Sequence, residues 1–374
     1  AWSADFTIVD GQFVTSQQTL LDPGDTGTIN SGGDLTTSVI AIAASASNIT
    51  VLNNGAITTS GTGSFGIDSR GNSGTNTITS SGTITTSGTS AHGFYSKDNS
   101  GTNTITNSGT ITTGENARGV FSTTNSGTNT ITNSGTITTK GNLASGLESY
   151  NNGGTVTITN SGTITTIQGS SASSEAARGL FSYQSQVGST NILLNTGTIT
   201  TSGTNGYGIH SLENAGTTNI TNSGTITTSG SNADGIYLQS NSGTTTITNS
   251  GTINVTGTGA VGVTLDGGVT FTNSGTISAT GSATEAIDST GSGNDTLNLL
   301  SGSNITGSID LGAGTDTVNI TGVNGCATSA CMSTSLTFAN TENINLSGVP
   351  AGVVNGSVAA TVDPTGSSVL GVSL

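Results

Sequence analysis

Few residues of this chain can do acid–base, nucleophilic or metal chemistry, so their placement decides a great deal. The two histidines, His92 and His210, occupy repeats four apart, about 19 Å along a stack with ~4.8 Å between strands. They cannot share one reacting centre. A Ser-His-Asp arrangement needs a particular Ser beside a His, and the abundance of Ser singles out none. Each His is expected as an exposed strand or corner residue. The acids are scattered, with no pair set across a cleft as sugar hydrolysis requires.

Two segments could hold a cation. Gly291-Ser292-Gly293-Asn294-Asp295-Thr296-Leu297 and Gly312-Ala313-Gly314-Thr315-Asp316-Thr317-Val318 approach the Gly-rich calcium nonapeptide. Calcium rolls repeat every nine residues, whereas Asp295 and Asp316 are 21 apart, closer to a single rung. They are therefore expected as column neighbours that accept one Ca2+ or form a solvated turn. Cys326 and Cys331 are five apart. In an oxidising compartment they close a small disulfide loop, and in a reducing one they are two thiols; the loop is the expectation. Their spacing matches no zinc pattern, and no cofactor other than Ca2+ is suggested.

The elements that must position these residues come from a repeat. Asn-Ser-Gly-Thr-Ile-Thr recurs with central isoleucines at Ile57, Ile84, Ile111, Ile137, Ile164, Ile199, Ile226, Ile253 and Ile277. The intervals stay near 27 residues, except for one of 35 that holds a Ser/Ala-rich insertion around Gln168–Ala177. Each copy carries three β-like pieces, such as Gly93–Ser96, Thr102–Thr106 and Gly109–Thr113. The Thr-Ile-Thr alternation has the period of two of a half-buried strand. Three strands per repeat, with no helical periodicity, predict an all-β, right-handed parallel β-helix with one rung per copy. Residues 1–50 are expected as N-terminal cap and first rungs, 51–290 as regular rungs, and 291–374 as atypical rungs and cap.

Three inward columns follow. One runs Ile78, Ile105, Ile131, Ile158, Leu193, Ile220, Ile247 and Phe271. The isoleucines above form the next, and Ile67, Phe94, Val120, Leu147, Leu180, Ile209, Ile236, Val263 and Ile287 the third. An Asn stands four residues before nearly every third-strand Ile. It is expected to take a left-handed corner conformation and to hydrogen-bond up the axis.

Composition excludes several partners. Charged residues are 7% of the chain against a usual ~25%, and the net charge is −15. Nucleic acid and anionic membranes both call for basic patches that this chain lacks. No apolar run is long enough to span a bilayer as a helix. The chain opens at Ala1-Trp2-Ser3 without a leader, so for an exported protein the signal is expected to have been removed.

The first strand of each repeat is the one that varies. Its outward position reads Asp68, Tyr95, Phe121, Glu148, Phe181, His210, Tyr237, Thr264 and Asp288. Two places later come Arg70, Lys97, Thr123, Tyr150, Tyr183 and Leu212; two places before the core residue come His92, Arg118 and Arg178. An aromatic and cationic stripe on a Thr-covered rod predicts a contact face built on Tyr95, Phe121, Phe181, His210, Tyr237, Arg118 and Arg178. Cover by the insertion loop explains the same stripe equally well.

The Asn-Ser-Gly-Thr-Ile-Thr-Thr copies over roughly Val51–Thr280 resemble the coils of bacterial autotransporter passenger domains. Asn294–Leu299 and Gly307–Val318 are similar to their last coils, and Val362-Asp363-Pro364-Thr365-Gly366 to the stretch before their membrane barrel. The resemblance implies display on, or release from, the outer membrane of a Gram-negative bacterium, with membrane attachment only through an anchor outside this sequence. It implies no single activity. The expected function is a non-enzymatic structural or adhesive solenoid. It would bind host, cell-surface or glycan partners, or copies of itself, including by stacking of its ends into filaments. An ice-binding Thr face and a polysaccharide-acting β-helix are the alternatives.

Overall fold

The computed structural model describes residues 5–167, 177–321, 336, 338–347 and 368–370, and among these every helix or strand element is a strand. One rung shows how the chain is built. Thr102–Asn107 lies in the first sheet (A), Thr110–Glu115 in the second (B) and Val120–Thr123 in the third (C). Each strand pairs with its equivalent one turn later, in parallel: Ile105 with Ile131, Ile111 with Ile137, Val120 with Leu147. Among the described residues, repetition yields sheets of 15, 12 and 13 strands, parallel but for one pairing, with the expected three-stranded rung of a parallel β-helix. The last pairing of sheet A, Asn343–Ser347 with Ser368–Leu370, is antiparallel.

The segment Phe6–Val14 departs from the repeat in sequence yet supplies strands of the first turn: Phe6–Ile8 pairs with sheet A and Phe13–Val14 with sheet B. Cys326 and Cys331, the insertion at 168–176 and the segment before the expected barrel linker lie outside the described residues.

The three aliphatic columns are the core. Ile78, Ile105, Ile84, Ile111, Ile67 and Phe94 are each at most 1% exposed, and the same holds along each column. At ~1.5–3 kcal/mol per fully buried large side chain, the core is strong because it is long rather than wide.

The Asn row is placed differently from the expectation. Asn107, Asn133, Asn160, Asn195, Asn222 and Asn249 end extended strands of sheet A and are fully buried. The left-handed residues sit at the other corners, for example Asn116 and Asn205 between sheets B and C, and Asp98 and Asn151 between C and A. What the Asn row does is bond along the axis. The Asn107 amide donates to Asn133 Oδ1 at 2.8 Å, and Asn133 to Asn160, Asn160 to Asn195, and Asn195 to Asn222 at the same distance. Where Ser80 replaces Asn, its hydroxyl accepts from Asn53 at 3.0 Å.

A second internal ladder runs at the corner between sheets C and A. Asn99 Oδ1 accepts from the Asn72 backbone N–H, Asn125 from Asn99, and Asn152 from Asn125. Both ladders satisfy buried polar groups that could not otherwise stay in a dry corner.

The Gly of Asn-Ser-Gly is required by approach, not by φ. A Cβ at Gly135 would lie 2.0 Å from the Gly109 carbonyl oxygen of the turn below. Gly135→Ala is therefore expected to lower unfolding stability by about 1–3 kcal/mol, as overpacking does. Exposed Thr136→Ala should stay within about 0.5 kcal/mol. Urea titration of both variants checks this, and equal midpoints would contradict the stacking geometry.

Candidate functional site

The outer face of sheet C gathers the unusual side chains because parallel register stacks equal positions. Asp68, Tyr95, Phe121, Glu148, Phe181, His210, Tyr237 and Thr264 are consecutive partners in one column. Two residues before each core position, Phe65, His92, Arg118, Arg178 and Tyr207 flank that column. Phe65 and Tyr207 are members the sequence reading overlooked. The same offset that singled out His92 would have found them.

Two ring clusters result. In the first, Phe65 stacks on His92 at 5.0 Å and lies 4.6 Å from Tyr95, while Phe121 meets the His92 edge at 5.3 Å. In the second, Phe181 stacks on His210 at 4.9 Å and on Tyr183 at 5.7 Å, and Tyr207 packs 4.5 Å from Tyr237. Guanidinium groups cover ring faces: Arg70 over Tyr95 at 4.8 Å, Arg118 over Phe121 at 4.6 Å and Arg178 over Phe181 at 4.1 Å.

The clusters form a thin external core, which revises several expectations. His92 and His210 are buried, not exposed strand or corner residues. Phe181, His210 and Arg178, expected on a contact face, are likewise buried beneath neighbouring side chains. Tyr95, Phe121 and Tyr237 remain partly exposed, together with Arg118, Tyr150 and Tyr183. The physical reason is that flat rings stacked about 4.8 Å apart cover one another and the sheet beneath.

Both imidazoles are held neutral. His92 Nδ1 accepts the Arg118 backbone N–H at 3.0 Å, and His210 Nδ1 accepts Arg178 Nε at 2.9 Å. Burial, helped by the neighbouring Arg118, pushes the His92 pKa down to about 3. Burial and Arg178 lower that of His210 as well. Asp234, buried but bonded to the Val261 N–H and the Thr264 hydroxyl, is pushed up to about 7. Burial also raises Asp68 although Arg70 pairs with it at 2.7 Å.

Between the clusters lies a groove of about 280 Å3, flanked by Phe121 and Phe181 with Glu148 among its lining residues. Glu148 is 3% exposed and accepts from Arg118 Nε at 3.0 Å.

The two aspartates offered for Ca2+ or for a solvated turn have defined partners within the coil. Asp295 Oδ1 accepts from the Val269 N–H and Oδ2 from the Ser289 hydroxyl; Asp316 Oδ1 accepts from the Asp295 N–H. Both aspartates are buried and continue the corner ladder with carboxylates in place of amides, so neither forms a solvated turn. Among the described residues no three His, Cys, Asp or Glu side chains come together as a metal site. Among them, too, no helix is long and apolar enough to cross a membrane.

No protein-family model, curated protein or solved structure matches this chain.

The buried titratable groups set a pH dependence with opposing parts. Below about pH 6.5 the unfolded chain protonates its histidines while the folded chain does not. Each His then costs up to ~1.4 kcal/mol of stability per pH unit as the pH falls toward its depressed folded value. Asp234 acts the other way: its penalty is fully present above pH 7 and fades as the pH falls toward ~3.9. Relative to wild type, His92→Phe and His210→Phe should flatten the loss of stability between pH 6.5 and 4, and Asp234→Asn should steepen it. Denaturant midpoints against pH read both slopes, and parallel curves for all four proteins would refute the assignment.

Proposed function

We propose that this chain is a non-catalytic, extracellular solenoid of adhesive or structural type that engages partners or copies of itself through the outer face of sheet C. The observation that carries the reading is the contrast between faces. Sheet B turns Thr outward rung after rung, whereas sheet C exposes Tyr, Phe and Arg over a rigid, stacked support. Aromatic and Arg side chains held on preorganised scaffolds are the usual anchors of contact surfaces. Surface display or release as an autotransporter-type passenger of a Gram-negative bacterium fits the low charge, the Thr/Asn/Ser surface and the motif resemblance. No metal or organic cofactor is part of this reading. The first turn also leaves Val9, Phe13 and Leu21 at least half exposed next to edge strands, which offers a second route to self-association.

Single Lys substitutions at Tyr95, Phe121 and Tyr237 are expected to weaken association or adhesion about thirtyfold each, the scale of a ~2 kcal/mol hot spot. The variants should lose some stability with the ring packing yet remain folded at the assay temperature, which their unfolding midpoints check. Negative-stain imaging and sedimentation across concentrations, with attachment to host-cell or glycan-coated surfaces, provide the readout. Attachment and assembly unchanged in all three variants would refute the face.

One observation favours a second reading as an ice-binding surface. Thr83, Thr110, Thr136, Thr163, Thr198 and Thr225, with Thr85, Thr112, Thr138, Thr165, Thr200 and Thr227 beside them, form two unbroken register-aligned rows on sheet B. Such a flat hydroxyl and methyl lattice predicts thermal hysteresis of purified protein that is abolished by Thr138→Lys. Its absence removes this reading.

A further inference from the structure

All five tyrosines of the chain, Tyr95, Tyr150, Tyr183, Tyr207 and Tyr237, stand on the outer face of sheet C or beside it. Four of them form two ring pairs between neighbouring turns. Tyr150 and Tyr183 stack at 5.0 Å with their planes 27° apart, and Tyr207 and Tyr237 lie at 4.5 Å and 30°. Tyr95 meets the rings of Phe65, His92 and Phe121 instead.

The two pairs are built differently. Tyr150 and Tyr183 are register partners on adjacent strands, so their backbones are held about 4.8 Å apart and the rings project side by side. Tyr207 precedes its strand, Ile209–Leu212, whereas Tyr237 is the second residue of the next, Ile236–Gln239. Tyr150 and Tyr183 are partly exposed and border the groove of about 280 Å3, where water and small solutes reach both. At Tyr207, burial together with Asp234 pushes the hydroxyl pKa up, a rise that is smaller at Tyr183.

Two phenol rings held in contact have a joint reaction. A one-electron oxidant takes an electron from each ring while each hydroxyl loses its proton to water. The two phenoxyl radicals join through carbons ortho to oxygen, and the hydrogens on those carbons shift to the oxygens and restore both phenols. With hydrogen peroxide as terminal oxidant, two tyrosines and one H2O2 give one dityrosine and two H2O.

We propose that Tyr150 and Tyr183 are an oxidative modification site, at which one-electron oxidation driven by hydrogen peroxide joins neighbouring turns through a dityrosine. The proposal goes beyond the contact-face reading and does not depend on what that face binds. The bond closes the longest step between register partners of this column: Tyr150 and Tyr183 are 33 residues apart, against 27 for Thr123 and Tyr150 and 29 for Tyr183 and Leu212. The extra residues fall between Thr163–Ile167 and Leu180–Tyr183. A staple there restrains the turn whose long connection has the most freedom in the unfolded chain.

Dilute purified protein, treated with hydrogen peroxide and a haem peroxidase or with a small ruthenium photo-oxidant and persulfate, tests it. Dityrosine fluorescence should appear in a monomeric product, and mass spectrometry of a digest should find the Tyr150 and Tyr183 peptides joined with loss of two hydrogen atoms. Tyr150→Phe and Tyr183→Phe keep the rings stacked and should each lower that product at least tenfold, whereas Tyr95→Phe should leave it unchanged. Oxidation in denaturing urea should also lower it at least tenfold, because the fold no longer holds the rings together. Once formed, the bond should lower the unfolding equilibrium constant roughly thirty- to thousandfold, the range of a covalent loop of this size. No coupling with either oxidant, coupling confined to Tyr207 and Tyr237 or to bonds between molecules, or an equal yield in urea would overturn the site. An unchanged unfolding constant would overturn its role as a staple.

Discussion

Along the regular turns, a strand residue finds its hydrogen-bond partner about one repeat further along the chain, in parallel and at the same position of the repeat. Everything else depends on that condition. Copies of equal length keep Ile over Ile and Asn over Asn, so a modest side chain becomes a continuous column. The same condition makes Gly obligatory where successive backbones approach closely, as at Gly109 and Gly135. It also confines variation in length to the connections between strands, and the extra residues of the 35-residue interval fall between Thr163–Ile167 and Leu180–Tyr183.

Inside the coil, stacking turns polarity into an asset. An isolated buried Asn leaves donors or acceptors unpaired, at a cost of about 1–3 kcal/mol each. A row of them bonds to itself, and each added turn satisfies the one before. The corner ladder works alike with backbone N–H donors, and toward the C-terminal end it exchanges Asn for Asp266, Asp295, Asp316 and Glu342. Much of the acidic character of that end therefore has a structural role.

Outside the coil, the same register gathers the aromatic and arginine side chains on one face. Rings in the outward column of sheet C cannot avoid their neighbours one rung away, so they cluster, exclude water and bury His92 and His210. The burial that this stacking imposes, with Arg118 and Arg178 close by, keeps both imidazoles neutral. One smaller, charged residue in the column, Glu148, then suffices to open a groove.

The fold was legible in the amino-acid sequence. The spacing of Ile57, Ile84 and Ile111, the period-two Thr-Ile-Thr alternation and the recurring Asn-Ser-Gly determined the rung, its three strands and the three large aliphatic columns, because a one-residue slip would turn each aliphatic side chain to water; the small-residue columns beside them, such as Ala91, Ala117 and Ala144, were not read. The varying strand also stood out by composition. Burial on the outer face was not legible: strand alternation says that Phe181 and His210 point away from the core, not that Tyr183, Tyr207 and Arg178 then cover them. Nor did a corner-forming residue type reveal that Asn133 ends an extended strand facing inward, since Asn serves both roles. The chain's local pattern determined which way each side chain points. Only the tertiary stacking, which brings residues one turn apart to within about 4.8 Å, decided which of them meet water, which pair with one another, and where a gap remains.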